Sequence, residues 1–124
     1  MLHEQLTETI IGAAIKVANT LGCGFLEKVY ENALAHELRK AGLIVAQQVP
    51  IAVYYDGVIV GEYVADLVVN GVVILELKAC SALENIHSAQ CINYLKATGK
   101  EVSLLLNFGK PRLEFKRLVL TNQA

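Results

Sequence analysis

The stretch YVADLVVNGVVILELKA, residues 63–79, limits the fold more tightly than any other part of the chain. Two apolar runs flank Asn70-Gly71, a dipeptide that favours the positive φ angles of a hairpin turn, so the stretch reads as two paired strands. Runs this apolar belong in a core. Yet they carry Asp66, Glu76 and Lys78, and charged side chains are rarely buried unless they are paired or bind a metal. The hairpin must lie in the core and still give these three charges something to do.

Register decides whether they meet. In an extended strand Glu76 and Lys78 point to one face, about 7 Å apart. A strict two-residue loop pairs Val69 with Val72 and turns Asp66 to the opposite face. A three-residue loop, Val69-Asn70-Gly71, pairs Val68 with Val72 and Asp66 with Ile74, and all three charges then share a face. Gly71 suits the left-handed position and bulge of that longer turn. Two uses of the shared face are open. One is a structural salt bridge from Lys78 to Asp66 or Glu76. The other is a divalent cation held by two hard carboxylates, with the lysine placing or polarising an attacking water or offsetting charge on a phosphate.

The rest of the chain supplies an α/β frame. Leu6, Ile10, Ala13, Val17 and Leu21 recur at steps of three and four, which predicts a helix over 4–20. A second helix carries Leu26, Val29, Tyr30, Ala33, Leu34, Leu38 and Ala41, with Gly42 at its end. Strands follow at about 43–55, 59–69 and 72–79. Ser81 to Glu84 reads as a capping box opening a third helix that runs to Thr98, and strands at about 101–107 and 113–120 complete the chain. The order is ααβββαββ, an α/β sandwich with a mixed sheet. At 124 residues it is most simply one domain, residues 1–124.

Composition excludes several classes. Hydrophobic residues make up 54% and charged residues 19%, so the chain is not disordered. No apolar run is long enough to span a membrane, and the N-terminus is too polar for a signal peptide, so a cytoplasmic protein is expected. Eleven Lys and Arg against twelve Asp and Glu leave no overall basic footprint for tight nucleic-acid binding. Cys23, Cys80 and Cys91 lack C-x-x-C spacing and suit reduced thiols; a zinc site from Cys80, His87 and Cys91 is the weaker reading. His3 and His36, like His87, have no evident partner and read as surface residues.

Asp66, nine residues, then Glu76-Leu77-Lys78 resembles the D…(D/E)-x-K signature of the PD-(D/E)XK nuclease superfamily. Gly24-Phe-Leu-Glu27-Lys-Val-Tyr30 is similar to the motif that names the GxxExxY family, a small branch of that superfamily. The surrounding text, IIGAAIKVANTLGCGFLEKVYENALAHEL and ADLVV…ELKA…AQCINYL…LLLNFG, extends the resemblance over nearly the whole chain. It implies a restriction-endonuclease-like sandwich with a mixed sheet flanked by helices. It further implies Asp66 and Glu76 as ligands of Mg²⁺ or Mn²⁺, Lys78 as the catalytic lysine, and Glu27 as the acid that the preceding helix adds to the metal site. Family members commonly carry His where Ala18 stands and Arg where Val64 stands; both departures bear on substrate contacts.

Around that core stand residues with plainer alternatives. Gln90 and Tyr94 share a helix face and match the Q-x-x-x-Y pattern that RecB-like nucleases of the superfamily carry beside the metal. Tyr30 is either a substrate contact or ordinary core, and Glu27 is also what a helix dipole favours in a first turn. Lys110, Arg112, Lys116 and Arg117 offer phosphate contacts, or simply a solvated edge strand. The expected function is metal-dependent hydrolysis of nucleic-acid phosphodiester bonds. The alternative is a silent nuclease-like fold that binds nucleic acid or protein. Self-association is compatible with either.

Overall fold

The computed structural model describes residues 2–121. Helix α1 spans Glu4–Leu21 and α2 spans Glu27–Lys40; β1 (Val45–Tyr55), β2 (Val58–Val69) and β3 (Val73–Lys78) follow. Helix α3 (Asn85–Thr98) leads to β4 (Val102–Asn107) and β5 (Glu114–Val119). The order is the ααβββαββ read from the pattern of apolar residues.

The five strands form one sheet in the order β1-β2-β3-β4-β5. All neighbours are antiparallel except β3 and β4, which run parallel and are joined by α3 as the crossover. Helices α1 and α2 cover one face: Ile10, Ala14 and Val17 of α1 and Tyr30, Leu34 and Leu38 of α2 pack on Leu67, Val73, Leu75 and Leu104. Helix α3 covers the other, with Tyr94 and Leu95 against Ile51, Val68 and Ile74. Strands β3 and β4 are therefore buried on both faces, which explains their unbroken apolar runs. Among the described residues no helix is long and apolar enough to cross a membrane.

The β2–β3 turn corrects the expected register in one detail. Asn70 (φ 51°) and Gly71 (φ 69°) both adopt left-handed φ, and the Val72 amide donates to the Val69 carbonyl at 3.0 Å. Val72 is then the extra residue, so the loop is Asn70-Gly71-Val72 rather than Val69-Asn70-Gly71. Pairing runs Val69–Val73, Val68–Ile74 and Leu67–Leu75. One step on, Asp66 lies across from Glu76, not Ile74, and the parity that puts the charges on one face is kept.

Helix α3 begins later than the Ser81 capping box suggested. Glu84 is its N-cap, and the Glu84 amide donates to Nδ1 of His87 at 3.0 Å. Residues 81–83 belong to the loop. His87, read as an isolated surface residue, thus holds the start of the helix.

Candidate active site

Beyond Leu67–Leu75 the β2–β3 ladder stops, while β3 stays paired to β4 as far as Lys78–Asn107. Side chains fill the opening. The Leu77 amide donates to Asp66 Oδ2 at 2.8 Å, and the Asp66 amide donates to Glu76 Oε1 at 3.3 Å. Each carboxylate thus satisfies a backbone donor of the opposite strand, which fixes the two acids side by side. None of the three ion pairs among the described residues includes Asp66, Glu76 or Lys78. The salt-bridge reading of these charges is not what the fold builds.

The electrostatics are those of two acids crowded in a dry place. Burial raises the Asp66 carboxyl above its usual range, against the pull of the Leu77 amide; the Glu31 charge raises it further, and Lys78 and Gln48 lower it. Burial and then the Asp66 charge push Glu76 up to about 8, with the Asp66 amide and Lys78 opposing. Lys78 therefore acts on both acids through its field.

Of the two acids on one stripe of α2, Glu31 rather than Glu27 is the buried one, and its charge bears on Asp66. Glu27 stands exposed in the first turn of α2, whereas Glu31 is 3% exposed. Glu31 accepts from Lys28 Nζ (3.1 Å), Gln47 Nε2 (2.7 Å) and Gln48 Nε2 (2.6 Å). Gln48 also lowers the Asp66 carboxyl, so it stands between the helix acid and the hairpin acids. Its φ of 54° explains how. Val45 packs toward α1 and α2 but Val49 toward α3, so the alternation of β1 changes face at Gln48. Sequence reasoning missed Glu31 and Gln48. The available signal was the polar pair Gln47-Gln48 inside an otherwise apolar strand.

Helix α3 brings Gln90 and Tyr94 to the same side of the sheet as Glu76. Gln90 Nε2 donates to the Tyr94 hydroxyl at 2.8 Å. Burial, and then the charge of Glu76, raise the Tyr94 phenol to about 12, so it stays a neutral donor. Cys91, one residue from Gln90, is buried and pushed up to about 11, chiefly by that burial. Cys80, His87 and Cys91 do not assemble: among the described residues no three His, Cys, Asp or Glu side chains come close enough to hold a metal by themselves.

Other expected site residues are placed elsewhere. Tyr30 is fully buried, stacks on Phe108 at 4.7 Å, donates to the Gly22 carbonyl (2.6 Å) and accepts from the Phe25 amide (3.2 Å). It locks the α1–α2 loop and has no free atom for a substrate. The basic segment is divided. Lys110 and Arg112 lie in the β4–β5 loop, beside the Lys78 end of β3, and Lys116 is exposed on β5. Arg117 turns to α1, where it donates to Thr7 Oγ1 and the Leu2 carbonyl. Four cations in sequence do not make one patch.

The chain matches the profile of the PD-(D/E)XK nuclease superfamily over residues 4–118 and belongs to that superfamily. Its fold is similar to the crystal structure of SSO0001, with a TM-score of 0.57 at 14% identity, covering 98% of this chain. It spans 61% of the length of SSO0001. It is also similar to an alkaline exonuclease (LHK-Exo) from Laribacter hongkongensis, with a TM-score of 0.52 at 12% identity, covering 91% of this chain and 81% of that one. No curated protein matches it. PD-(D/E)XK nucleases generally use divalent metal ions.

The donors present fit such an ion. Asp66 and Glu76 are hard oxygen donors, desolvated, and without an ion-pair partner. Two carboxylates, with water and substrate oxygens completing the shell, is the way Mg²⁺ is commonly held.

Proposed function

We infer that this protein is a metal-dependent nuclease-type phosphodiesterase of the GxxExxY branch, with residues 1–124 acting as one catalytic unit in the cytoplasm. The observation that carries the reading is the mutual latch of Asp66 and Glu76: a half-buried and a buried acid fixed side by side, with no ion-paired cation among the described residues. Folding two like charges together is costly, and the cost makes sense if a divalent ion is to join them.

Asp66 and Glu76 would hold Mg²⁺ or Mn²⁺, with Glu31 reaching the site through Gln48 in the role expected of Glu27. Bound there, the ion supplies Lewis-acid polarisation of the phosphate and neutralises charge that develops on it. Lys78 carries only donors, so it orients the attacking water by a hydrogen bond to oxygen and offsets phosphate charge. Gln90 and Tyr94 position the nucleic-acid strand by donated hydrogen bonds, and Lys110 and Arg112 steady its phosphates.

The second reading, a silent nuclease-like fold, is favoured by Ala18 and Val64. Ala18 is packed in the core and Val64 is half-exposed, and neither offers the polar contact that His and Arg give other members. Thermal unfolding with and without Mn²⁺, paired with cleavage of single- and double-stranded DNA and RNA, separates the two. An enzyme gains melting temperature with Mn²⁺ and cleaves at least one substrate. Asp66→Asn and Glu76→Gln lose both effects, while Lys78→Ala keeps the stabilisation and loses cleavage. A wild type that shows neither effect belongs to the second reading.

A further inference from the structure

The outer half of the β1–β2 hairpin projects beyond the body of the sheet as an arm. Its Tyr54 and Tyr63 side chains are 63% and 48% exposed. Between this arm and α3 lies a groove of about 700 Å³, lined by Tyr54, Tyr63 and Tyr94 with Gln90, Asn93 and Lys96. The rings form a series: Tyr63 and Tyr94 have centroids 5.5 Å apart, inclined at 49°. Tyr94 joins the groove to the acid pair, since Glu76 and Asp66 both bear on its phenol. Tyr63 precedes Asp66 by three residues of strand, about 10 Å.

We propose that this groove binds single-stranded nucleic acid, with unstacked bases lying against Tyr54 and Tyr63 and the strand led toward Asp66, Glu76 and Lys78. The proposal rests on the nuclease reading above for the direction of the strand, though not for its binding.

Charge and ring exposure select the occupant. Among the groove's lining side chains the one charged group is Lys96, a cation, and none is acidic. The arm's carboxylates, Asp56 and Glu62, lie outside that lining. One cation fits an anionic strand but is far short of the basic surface that grips a duplex, whose phosphates recur every ~1.7 Å of axis. A duplex also keeps its bases stacked inside, where tyrosine faces cannot reach them. A single strand can splay its bases onto aromatic rings, and that stacking supplies affinity without much positive charge. Gln90 and Asn93 add amide donors and acceptors for base edges.

The test is fluorescence anisotropy in a chelator, so that cleavage plays no part, with labelled oligothymidine about a dozen nucleotides long and a duplex of equal length. Oligothymidine should bind at least about tenfold tighter than the duplex. Tyr54→Ala and Tyr63→Ala should each weaken it by about tenfold, the size of one lost base stack. Tyr55→Ala, at the exposed tip of the arm and outside the groove, should leave it unchanged. Tyr54 is exposed enough for its loss to spare the fold, which melting of each variant checks. Equal binding of duplex, no binding of oligothymidine, or equal effects of Tyr54→Ala and Tyr55→Ala would overturn the proposal. So would a light-scattering dimer that both arm variants dissociate with no change in oligonucleotide binding; that would give the arm to a second copy of the chain. If oligothymidine binds through Tyr54 but nothing is cleaved with Mn²⁺, the nuclease reading fails and the groove stands. If single strands are cleaved yet Tyr54→Ala binds normally, the reverse holds.

Discussion

Glu27 and Glu31 lie on one stripe of α2, four residues and about 6 Å apart along its axis. The nearer acid to the helix start is exposed; the farther is buried, hydrogen-bonded by Gln48, and its charge bears on Asp66. If Glu31 supports the site, Glu31→Gln should lower cleavage by about ten- to a hundredfold, the range for residues behind a metal's direct ligands. Glu27→Gln should stay within about twofold. Steady-state cleavage of the two variants side by side checks this. Tyr30 belongs to folding instead: its hydroxyl makes two bonds to the α1–α2 loop. Tyr30→Phe should cost about 1 kcal/mol in urea unfolding and leave cleavage per folded molecule unchanged.

At the scale of elements, the loop after β3 is held by Asn107, which is completely buried. Its Oδ1 accepts from the Cys80 and Gly109 amides, both at 3.0 Å, and its Nδ2 donates to the Cys80 carbonyl at 3.0 Å and to Glu114 at 3.1 Å. The chain passes so closely that a Cβ on Gly109 would lie 2.3 Å from the Cys80 carbonyl oxygen. Gly109→Ala should therefore destabilise the fold by about 1–3 kcal/mol in denaturant titration, and shift the loop that leaves Lys78. The elements themselves were legible in the sequence, because helix and strand periods are local. The parity of Asp66 and Glu76 was legible too, since it depends only on the turn adding an odd residue. Glu31 was not. Its burial follows from β1 changing face at Gln48, a left-handed residue that is neither Gly nor Asn and that only its tertiary partners explain. The α3 start was misread for a related reason: Ser81 and Glu84 fit a local capping pattern, but the loop after β3 is tied to Asn107 and Glu114 first.

For the whole molecule, buried Glu76 and half-buried Asp66 set a pH dependence. Without divalent ion, Glu76 titrates near 8 when folded and at the ordinary carboxyl value when unfolded. The folded state then keeps a proton that the unfolded state has released. That contribution to stability is fully present below about 4.5 and is lost as pH rises through about 8. Asp66 adds in the same sense. The lowered carboxyls Glu37 and Glu114 act oppositely, but only as pH falls below the ordinary carboxyl range. Chelated protein should therefore be less stable at pH 8 than at pH 5, and Glu76→Gln should flatten the slope. Denaturant midpoints across that range measure it.

The central claim is that Asp66 and Glu76 are paired to share a divalent cation. Anomalous scattering from crystals soaked in Mn²⁺ tests it most directly. The account predicts one strong manganese peak in contact with both carboxylates, absent from crystals of Asp66→Asn. A fully soaked crystal with no peak there, or with manganese bound only at other surface acids, would contradict it.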